Sequence, residues 1–194
     1  MVITICREYG SGGAEIAHKL AEKLNIPCYD KSMAKLTSDI SGFPTESVEE
    51  AEDKVSGVFE YMSGAYTAEN LPVYDRIYLA QREMILMLAR TGNCVIVGRC
   101  AANILQEAEL PTFDVFIYAP MEERIKRIKN RQNLDERRAE RVIRKKDEYR
   151  KNYYRRYAYA DWGNKSNYDL LINSTIGCDK AVSVIAEAVK GKMR

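Results

Sequence analysis

Residues 2–16, with the sequence VITICREYGSGGAEI, contain an apolar strand, a glycine-rich turn and the start of a helix in immediate succession. In such a turn, backbone N–H groups and the positive end of the helix dipole converge on a bound anion. An ordinary tight turn also favours glycine, but the order strand, loop, helix favours phosphate binding over that alternative. We therefore predict a phosphate-binding loop that consists of Gly10, Ser11, Gly12, Gly13, Ala14 and Glu15.

The loop departs from the usual phosphate-loop motif G-x-x-x-x-G-K-[ST] at three positions. The first glycine of the motif falls on Arg7, the lysine on Gly13 and the Ser/Thr on Ala14. A guanidinium at the entrance to the loop can bind phosphate bidentately and supply part of the missing charge. The alternative for Arg7 is a structural ion pair with Glu8 or another acid. The Glu15 carboxylate suits the helix dipole but repels phosphate, so it either points away or reaches a metal ion through water.

Composition indicates one globular domain. The 194 residues are 46% hydrophobic and 30% charged, which is enough to bury a core. A net charge of +2 is too small to indicate nucleic acid or an anionic membrane as the partner. No run reaches the roughly 18 apolar residues of a membrane span, and the N-terminus has no signal-peptide pattern.

Cysteine and histidine usage narrows the function classes. Five scattered cysteines without C-x-x-C spacing predict buried, reduced thiols and a cytoplasmic protein, with Cys100 as the candidate for reactivity. The single histidine, His18, supports neither a His-rich metal site nor a Ser-His-Asp triad.

Strand-like and helix-like segments alternate along the chain. Apolar runs predict five strands, at residues 2–6, 28–29, 94–97, 113–118 and 168–172. Three- and four-residue periodicity predicts helices at residues 13–24, 74–90, 120–131, 135–157 and 178–191. The region 31–91 is helix-like throughout, with breaks at 41–44, 63–64 and 71–72. This alternation predicts an α/β fold with a parallel five-stranded sheet covered by helices on both faces.

Polar residues directly follow four of the predicted strands. They are Arg7, Asp30, Arg99 and Asn173. Ligands of parallel sheets bind beyond the carboxyl ends of the strands, so we expect these residues to converge on one crevice. Arg99 follows the most apolar strand, which favours a role in binding an anionic group.

Residues 124–156 are dense in Lys and Arg. Charged residues of the long helix recur mostly three apart, which predicts a shared face. One interpretation is a row of arginines that closes over phosphates, with Arg144 and Arg150 as the candidates. The alternative is a solvated helix with surface ion pairs of little energetic value.

Several segments together resemble the cytidylate kinase-like family, a P-loop group related to bacterial cytidylate kinases and other nucleoside monophosphate kinases. The most specific is ITICREYGSGGAEIA at residues 3–17, and the others are Gly98-Arg99, residues 120–124, residues 161–163 and residues 168–173. The resemblance covers nearly the whole chain.

The resemblance implies a three-layer P-loop NTPase-type domain of three parts. A core would hold ATP phosphates at the Gly10–Gly13 loop, a helical insertion at residues 31–90 would bind a nucleoside monophosphate, and a short lid at residues 130–138 would close over both. In cytidylate kinases the loop lysine and the following Ser/Thr contact phosphates and Mg²⁺. This chain lacks both, and we assign no metal ligand and carry over no base preference.

The activity that the resemblance implies is ATP-dependent phosphoryl transfer to a nucleoside monophosphate, with ATP and Mg²⁺ as cofactors and nucleotides as partners. Arg7, Arg99, Arg144 and Arg150 would clamp the phosphates. Residues 10–15 and Asn173 would bind ATP, and Asp30 and Arg99 the acceptor, although Asp30 could instead cap the following helix. Two alternatives are a catalytically weak nucleotide-binding sensor and a small-molecule kinase with a non-nucleotide acceptor.

Overall fold

A computed structural model describes residues 1–54 and 71–192. Five strands form one sheet: β1 (Val2–Arg7), β2 (Cys28–Tyr29), β3 (Cys94–Val97), β4 (Thr112–Tyr118) and β5 (Leu170–Asn173). All neighbouring strands pair in parallel, in the order β2-β3-β1-β4-β5. The α/β fold with a parallel five-stranded sheet is therefore confirmed. Because β1 is the central strand, the glycine-rich loop that follows it lies midway along the carboxyl edge of the sheet.

The helices are α1 (Gly13–Leu24), α2 (Ser32–Ser41), α3 (Thr45–Lys54), α4 (Val73–Thr91), α5 (Ala101–Glu107), α6 (Met121–Gln132), α7 (Glu136–Tyr157) and α8 (Cys178–Lys192). The predicted helices agree with these bounds to within one or two residues. The short helix α5 has no counterpart in the sequence prediction. Residues 55–70 of the predicted insertion, with the break at 63–64, lie outside the described residues.

Helices cover both faces of the sheet, because successive side chains of a strand point to opposite faces. On β1, Ile3 and Ile5 pack with α1 and α8. Val2 and Cys6 belong to the opposite layer, with α4, α5 and the end of α7. Each fully buried isoleucine, such as Ile5, contributes roughly 1.5–3 kcal/mol. Burial on both faces holds β1 rigid, and with it the start of the loop.

Helices α2, α3 and α4 pack around a small apolar cluster of Ala34, Val48, Ala51 and Ile77. A buried ion pair joins this group to the end of α7. Arg156 donates to the Asp75 carboxylate at 2.6 and 2.9 Å, and the Tyr157 hydroxyl donates to it at 2.7 Å. The described part of the insertion is therefore tied to α7 by charge as well as by packing.

Helices α6 and α7 form a hairpin with its own apolar seam of Ile125, Ile128, Ala139 and Ile143. Helix α6 ends at Gln132, and the next residue, Asn133, has a left-handed φ of 52°. Asp135 then caps α7, because its carboxylate accepts from the Arg138 N–H at 2.8 Å. The predicted lid at residues 130–138 is thus the tip of this hairpin, and its role as a lid stays a prediction.

All five cysteines carry free thiols. Cys100, the candidate for reactivity, is fully buried at the start of α5, which argues against ready modification. Burial raises the pKa of the Cys28 and Cys94 thiols to about 11. None of the described helices is long and apolar enough to cross a membrane.

Thiol labelling tests the burial of these cysteines. Only the thiolate reacts, and near pH 8 a thiol with a pKa of about 11 has roughly 200-fold less thiolate than an unperturbed one. We expect labelling of Cys28 and Cys94 in the folded protein to be slow at that pH and to rise about tenfold per pH unit up to pH 11. The urea-unfolded chain should react rapidly at all five thiols. Rapid modification of Cys100 in the folded protein would contradict the structure.

Candidate active site

A cavity of about 500 Å³ opens at the carboxyl ends of β1 and β3. Its walls come from the loop after β1, the start of α1, the residues after β2 and β3, and helices α3, α6 and α7. Of the described residues, six cationic and four acidic side chains line it. The cations are Arg7, Lys31, Arg99, Arg127, Arg131 and Arg150. A cavity with this balance suits a ligand that carries several negative charges.

The loop after β1 turns its backbone toward this cavity. Gly10 and Gly12 have φ values of 81° and 84°, which favour glycine. A Cβ on Gly10 would also lie 3.1–3.2 Å from Ile128 and Arg124. Helix α1 begins directly after Gly12, so its first N–H groups have no partner within the helix, and Gly13 and Ala14 at this helix start line the cavity. The loop and helix start therefore have the arrangement that the sequence predicts, and anion binding there stays a prediction.

Ser11 makes hydrogen bonds within the loop. Its hydroxyl is buried and donates to the Glu8 carbonyl at 2.9 Å, where the Ser11 N–H also donates at 3.3 Å. Ser11 does not line the described cavity. Ser11 therefore stabilises the turn of the loop, and a contact between its hydroxyl and phosphate stays a prediction.

Arg7 lies at the cavity floor beside Asp30, and its side chain is only 13% exposed. Its Nη2 is 3.7 Å from Asp30 Oδ1, and His18 Nε2 is 3.7 Å from the other carboxylate oxygen. The acidic partner of Arg7 is therefore Asp30. Glu8 instead accepts from the Ala119 N–H at 3.1 Å. No side-chain cap is made at the start of α2, so the capping role considered for Asp30 is absent.

Arg99 reaches the same place from β3. Its backbone has a left-handed φ of 57°, which turns the chain sharply after the strand. Its Nη1 donates to the carbonyl of Asp30 at 3.1 Å and to that of Val97 at 3.3 Å. These bonds hold the guanidinium at the mouth of the sheet. Arg7, Asp30 and Arg99 therefore converge as the topology predicts.

Of the two α7 arginines predicted for the site, Arg150 lines the cavity and Arg144 does not. Arg150 lines the cavity, is 16% exposed and donates to the Arg7 carbonyl at 2.9 Å. Arg144 is 66% exposed, pairs with Glu140 at 2.6 Å and lies outside the cavity lining. Six residues on a helix amount to a turn of about 240°, so the two side chains cannot share a face. The structure thus places Arg144 outside the cavity, because steps of three residues drift around the helix.

Two arginines that sequence reasoning missed come from α6. Arg127 and Arg131 are four residues apart, so they share a face, and both line the cavity. Arg127 Nη1 donates to the Gly10 carbonyl at 2.6 Å. The signal was present in the sequence, since Ile125 and Ile128 mark the buried side of α6 and leave these arginines on another face.

A buried charge network attaches the loop to the α6–α7 hairpin. Asp147 accepts from the Tyr9 N–H at 2.7 Å and from Arg124, whose guanidinium also donates to the Tyr9 carbonyl at 3.4 Å. Arg124 Nε lies 3.5 Å from Glu8. The start of the loop therefore has a fixed position relative to both helices.

Residues 2–176 match the sequence profile of the cytidylate kinase-like family. The chain belongs to this family. Among curated relatives, the cytidylate kinase of Archaeoglobus fulgidus is 28% identical over 193 residues, which cover 99% of this chain and 96% of that protein. The cytidylate kinase of Methanocaldococcus jannaschii is 28% identical over 176 residues, covering 90% and 89%.

Solved structures agree with the fold. An uncharacterised protein from Eubacterium ventriosum has a TM-score of 0.74 at 28% identity and covers 98% of both chains. A shikimate kinase from Bacteroides thetaiotaomicron has a TM-score of 0.56 at 14% identity, also over 98% of both chains. The cytidylate kinase-like assignment and the P-loop kinase fold, both predicted from the sequence, are confirmed.

Asn173 is a further predicted site residue that lies outside this cavity. It ends β5, one of the two edge strands, on the β4 side of β1. Its side-chain oxygen accepts from the Thr175 N–H at 3.1 Å and so caps the next short turn. It does not line the described cavity. The strand-end residues that line the cavity lie at the carboxyl ends of β1, β2 and β3, whereas Asn173 lies on the opposite side of β1, so its contact with ATP stays a prediction.

Proposed function

We propose that this cytidylate kinase-like protein transfers the γ-phosphoryl group of ATP to a nucleoside monophosphate. One observation carries the proposal: a glycine loop at a helix N-terminus and five arginines line the same cavity. Two phosphate-bearing substrates bring a large negative charge together, and arginines on both sides can neutralise it. The relatives named cytidylate kinase make CMP the first acceptor to test.

The donor side of the cavity is the loop. Backbone N–H groups at the start of α1 would hold the ATP phosphates, and the positive helix end would favour their charge. Arg127 and Arg131 from α6 and Arg150 from α7 flank this loop. Ala14 and Glu15 line the cavity at the same helix start and complete the donor pocket.

The acceptor side lies toward the helical insertion. Arg99 and Asp30 form its base, and Lys31 and Glu49 line its wall. We therefore propose the insertion at residues 31–90 as the acceptor-binding part and the hairpin tip at residues 130–138 as the lid. Closure of the tip would exclude water, which would otherwise compete with the acceptor.

The reaction needs no protein nucleophile. An oxygen of the acceptor phosphate attacks the γ-phosphorus, a new P–O bond forms, and the bond to the β–γ bridging oxygen breaks to release ADP. The role of Arg7, Arg99 and Arg150 is to hold the reacting groups in line and to stabilise charge on the transferring oxygens.

Magnesium fits this cavity as a phosphate-bound ion. Among the residues that the structure describes, no cluster of three or more His, Cys, Asp or Glu side chains could form a dedicated cage. Mg²⁺ in kinases needs only one or two carboxylates besides phosphates and water. Glu15 and Asp30 line the cavity and are the side chains that would contribute. The bound ion would supply neutralisation of phosphate charge.

A coupled assay of ADP release tests the proposal. We expect ADP to form from ATP only when an acceptor is present, and we expect CMP to be the best of CMP, dCMP, UMP, AMP and GMP. A reaction without acceptor measures simple ATP hydrolysis and serves as the control. Calorimetric ATP binding without turnover on any acceptor would instead favour the sensor alternative, which the missing loop lysine supports. Absence of ATP binding at millimolar concentration would reject both.

A further inference from the structure

The side chain of Arg7 occupies the place where a side chain at residue 13 would begin. A Cβ built on Gly13 would lie 2.6 Å from the Arg7 Cβ and 2.9 Å from its Cγ. Non-bonded carbon atoms do not approach so closely, since their optimal separation is about 3.5–4.0 Å. Residue 13 is the position that carries lysine in the usual motif. Arg7 and a lysine at residue 13 are therefore mutually exclusive.

A second glycine makes room for the other end of the same side chain. A Cβ on Gly98, in the turn after β3, would collide with Arg7 Nη1. Gly98 also has a φ of 79°, where glycine is favoured. Two glycines on different elements thus border the Arg7 side chain, Gly13 at its stem and Gly98 at its guanidinium.

The environment of Arg7 fixes this side chain without hiding it from the cavity. Asp30 lies beside its guanidinium at 3.7 Å, and Arg150 holds its backbone carbonyl at 2.9 Å. Arg7 still lines the cavity together with Gly12 and Gly13 at the start of α1. The stem of Arg7 therefore lies at the start of α1, and its guanidinium lies beside Asp30 and Gly98, between the phosphate loop and the acceptor side of the cavity.

We propose that the cation and the glycine have swapped positions relative to the usual phosphate loop. The cation is Arg7, where that motif has its first glycine, and the glycine is Gly13, where that motif has lysine. In this inference, which rests on the proposed function, Arg7 supplies the loop cation to the nucleotide phosphates from the first position of the motif. Gly13 leaves the space that its stem requires. A guanidinium contacts phosphate oxygens in pairs where an ammonium acts as a point charge. The loop then still has a cation for the phosphates, but that cation belongs to the last residue of β1 and not to the start of α1.

A reciprocal exchange tests the inference. The proteins to compare are the wild type, Arg7→Gly, Gly13→Lys and the double variant Arg7→Gly/Gly13→Lys. The two readouts are the affinity for ATP with Mg²⁺, measured by calorimetry, and the midpoint of thermal unfolding. Arg7→Gly should weaken ATP binding about 10- to 100-fold, because charge-assisted hydrogen bonds are lost. Gly13→Lys should weaken binding and lower the unfolding midpoint by about 2–10 °C, because two side chains compete for one volume.

The double variant tests whether a lysine at residue 13 can replace Arg7. We expect its ATP affinity to return to within about tenfold of the wild type and its unfolding midpoint to recover from that of Gly13→Lys, a strongly non-additive result. Arg7→Met keeps the unbranched stem and removes the charge. If Arg7→Gly does not fold, the ATP affinity of Arg7→Met therefore measures the effect of losing the cation. Gly13→Ala should lower the midpoint although it adds no charge.

Failure of the inference and failure of the proposed function give different results. Suppose that the wild type binds ATP. Equal ATP affinity of Arg7→Met, or a double variant whose loss of ATP affinity equals the sum of the two single losses, would show that Arg7 is not the loop cation. The proposed function would be unaffected by either result. If the wild type binds neither ATP nor inorganic tripolyphosphate, the proposed function is wrong. The proposed role of Arg7 is then wrong as well, because it depends on that function.

Discussion

Replacing Arg150 by methionine should lower kcat/KM for phosphoryl transfer by about 100- to 1,000-fold, the usual cost of removing one preorganised electrostatic contact. Arg150 lines the cavity and its Nη1 donates to the Arg7 carbonyl, so the change removes a cation and loosens the strand end. Methionine keeps most of the unbranched stem, which limits the loss of packing. The measurement is steady-state ADP release with the best acceptor.

Arg144→Met is the matched control. It lies on the same helix, but its side chain is 66% exposed and pairs with Glu140 on the solvent side. We expect kcat/KM to change by less than about twofold, since exposed ion pairs contribute little. Similar losses in both variants would contradict the placement of the site. Circular dichroism and the unfolding midpoint of each variant separate a lost contact from a lost fold.

Asp75→Ala should have the largest effect on stability among simple substitutions, a loss of about 3–5 kcal/mol in the free energy of unfolding. The Asp75 side chain is 3% exposed and that of Arg156 is 12% exposed. Removal of the carboxylate leaves the guanidinium without its counter-charge in a desolvated place, and the Tyr157 hydroxyl loses its acceptor. Urea denaturation followed by circular dichroism measures the change.

Two further variants define the cause. Asp39→Ala removes one member of the exposed Lys35–Asp39 pair and should cost less than about 1 kcal/mol. The double change Asp75→Leu/Arg156→Met should be more stable than Asp75→Ala, because an apolar pair leaves no buried charge. If Asp75→Ala costs no more than Asp39→Ala, the ion pair does not hold the insertion to α7.

The elements of this fold follow largely from sequence. Strands such as β3 are continuous apolar runs because both faces are buried, and α1 shows its apolar stripe at three- and four-residue steps. Helix α5 escaped prediction because it has only seven residues, too short for periodicity to stand out. The order of the strands in the sheet could not be predicted. The alternation of strands and helices indicates that the strands are parallel, but it does not show which strands are the neighbours of β1.

The site was predictable where topology alone positions a residue. Arg7, Asp30 and Arg99 lie at the carboxyl ends of β1, β2 and β3, which are neighbours in the sheet, and the parallel sheet brings them together. Asn173 ends β5, on the other side of β1, and its side-chain oxygen accepts from the Thr175 N–H in a local turn. Arg127 and Arg131 depend on how α6 rotates against α7. That rotation is set by tertiary packing of the hairpin seam.

The close fit of Arg7 between two glycines also constrains the history of this loop. A chain with arginine at residue 7 cannot accept lysine at residue 13 without a collision, and a chain with neither has lost the cation. If Arg7 is the loop cation, each substitution alone should be harmful while the pair is compatible, which is sign epistasis. A single-step exchange between the two loop types would then pass through a weakened protein, and a search for the lysine motif alone would miss this chain.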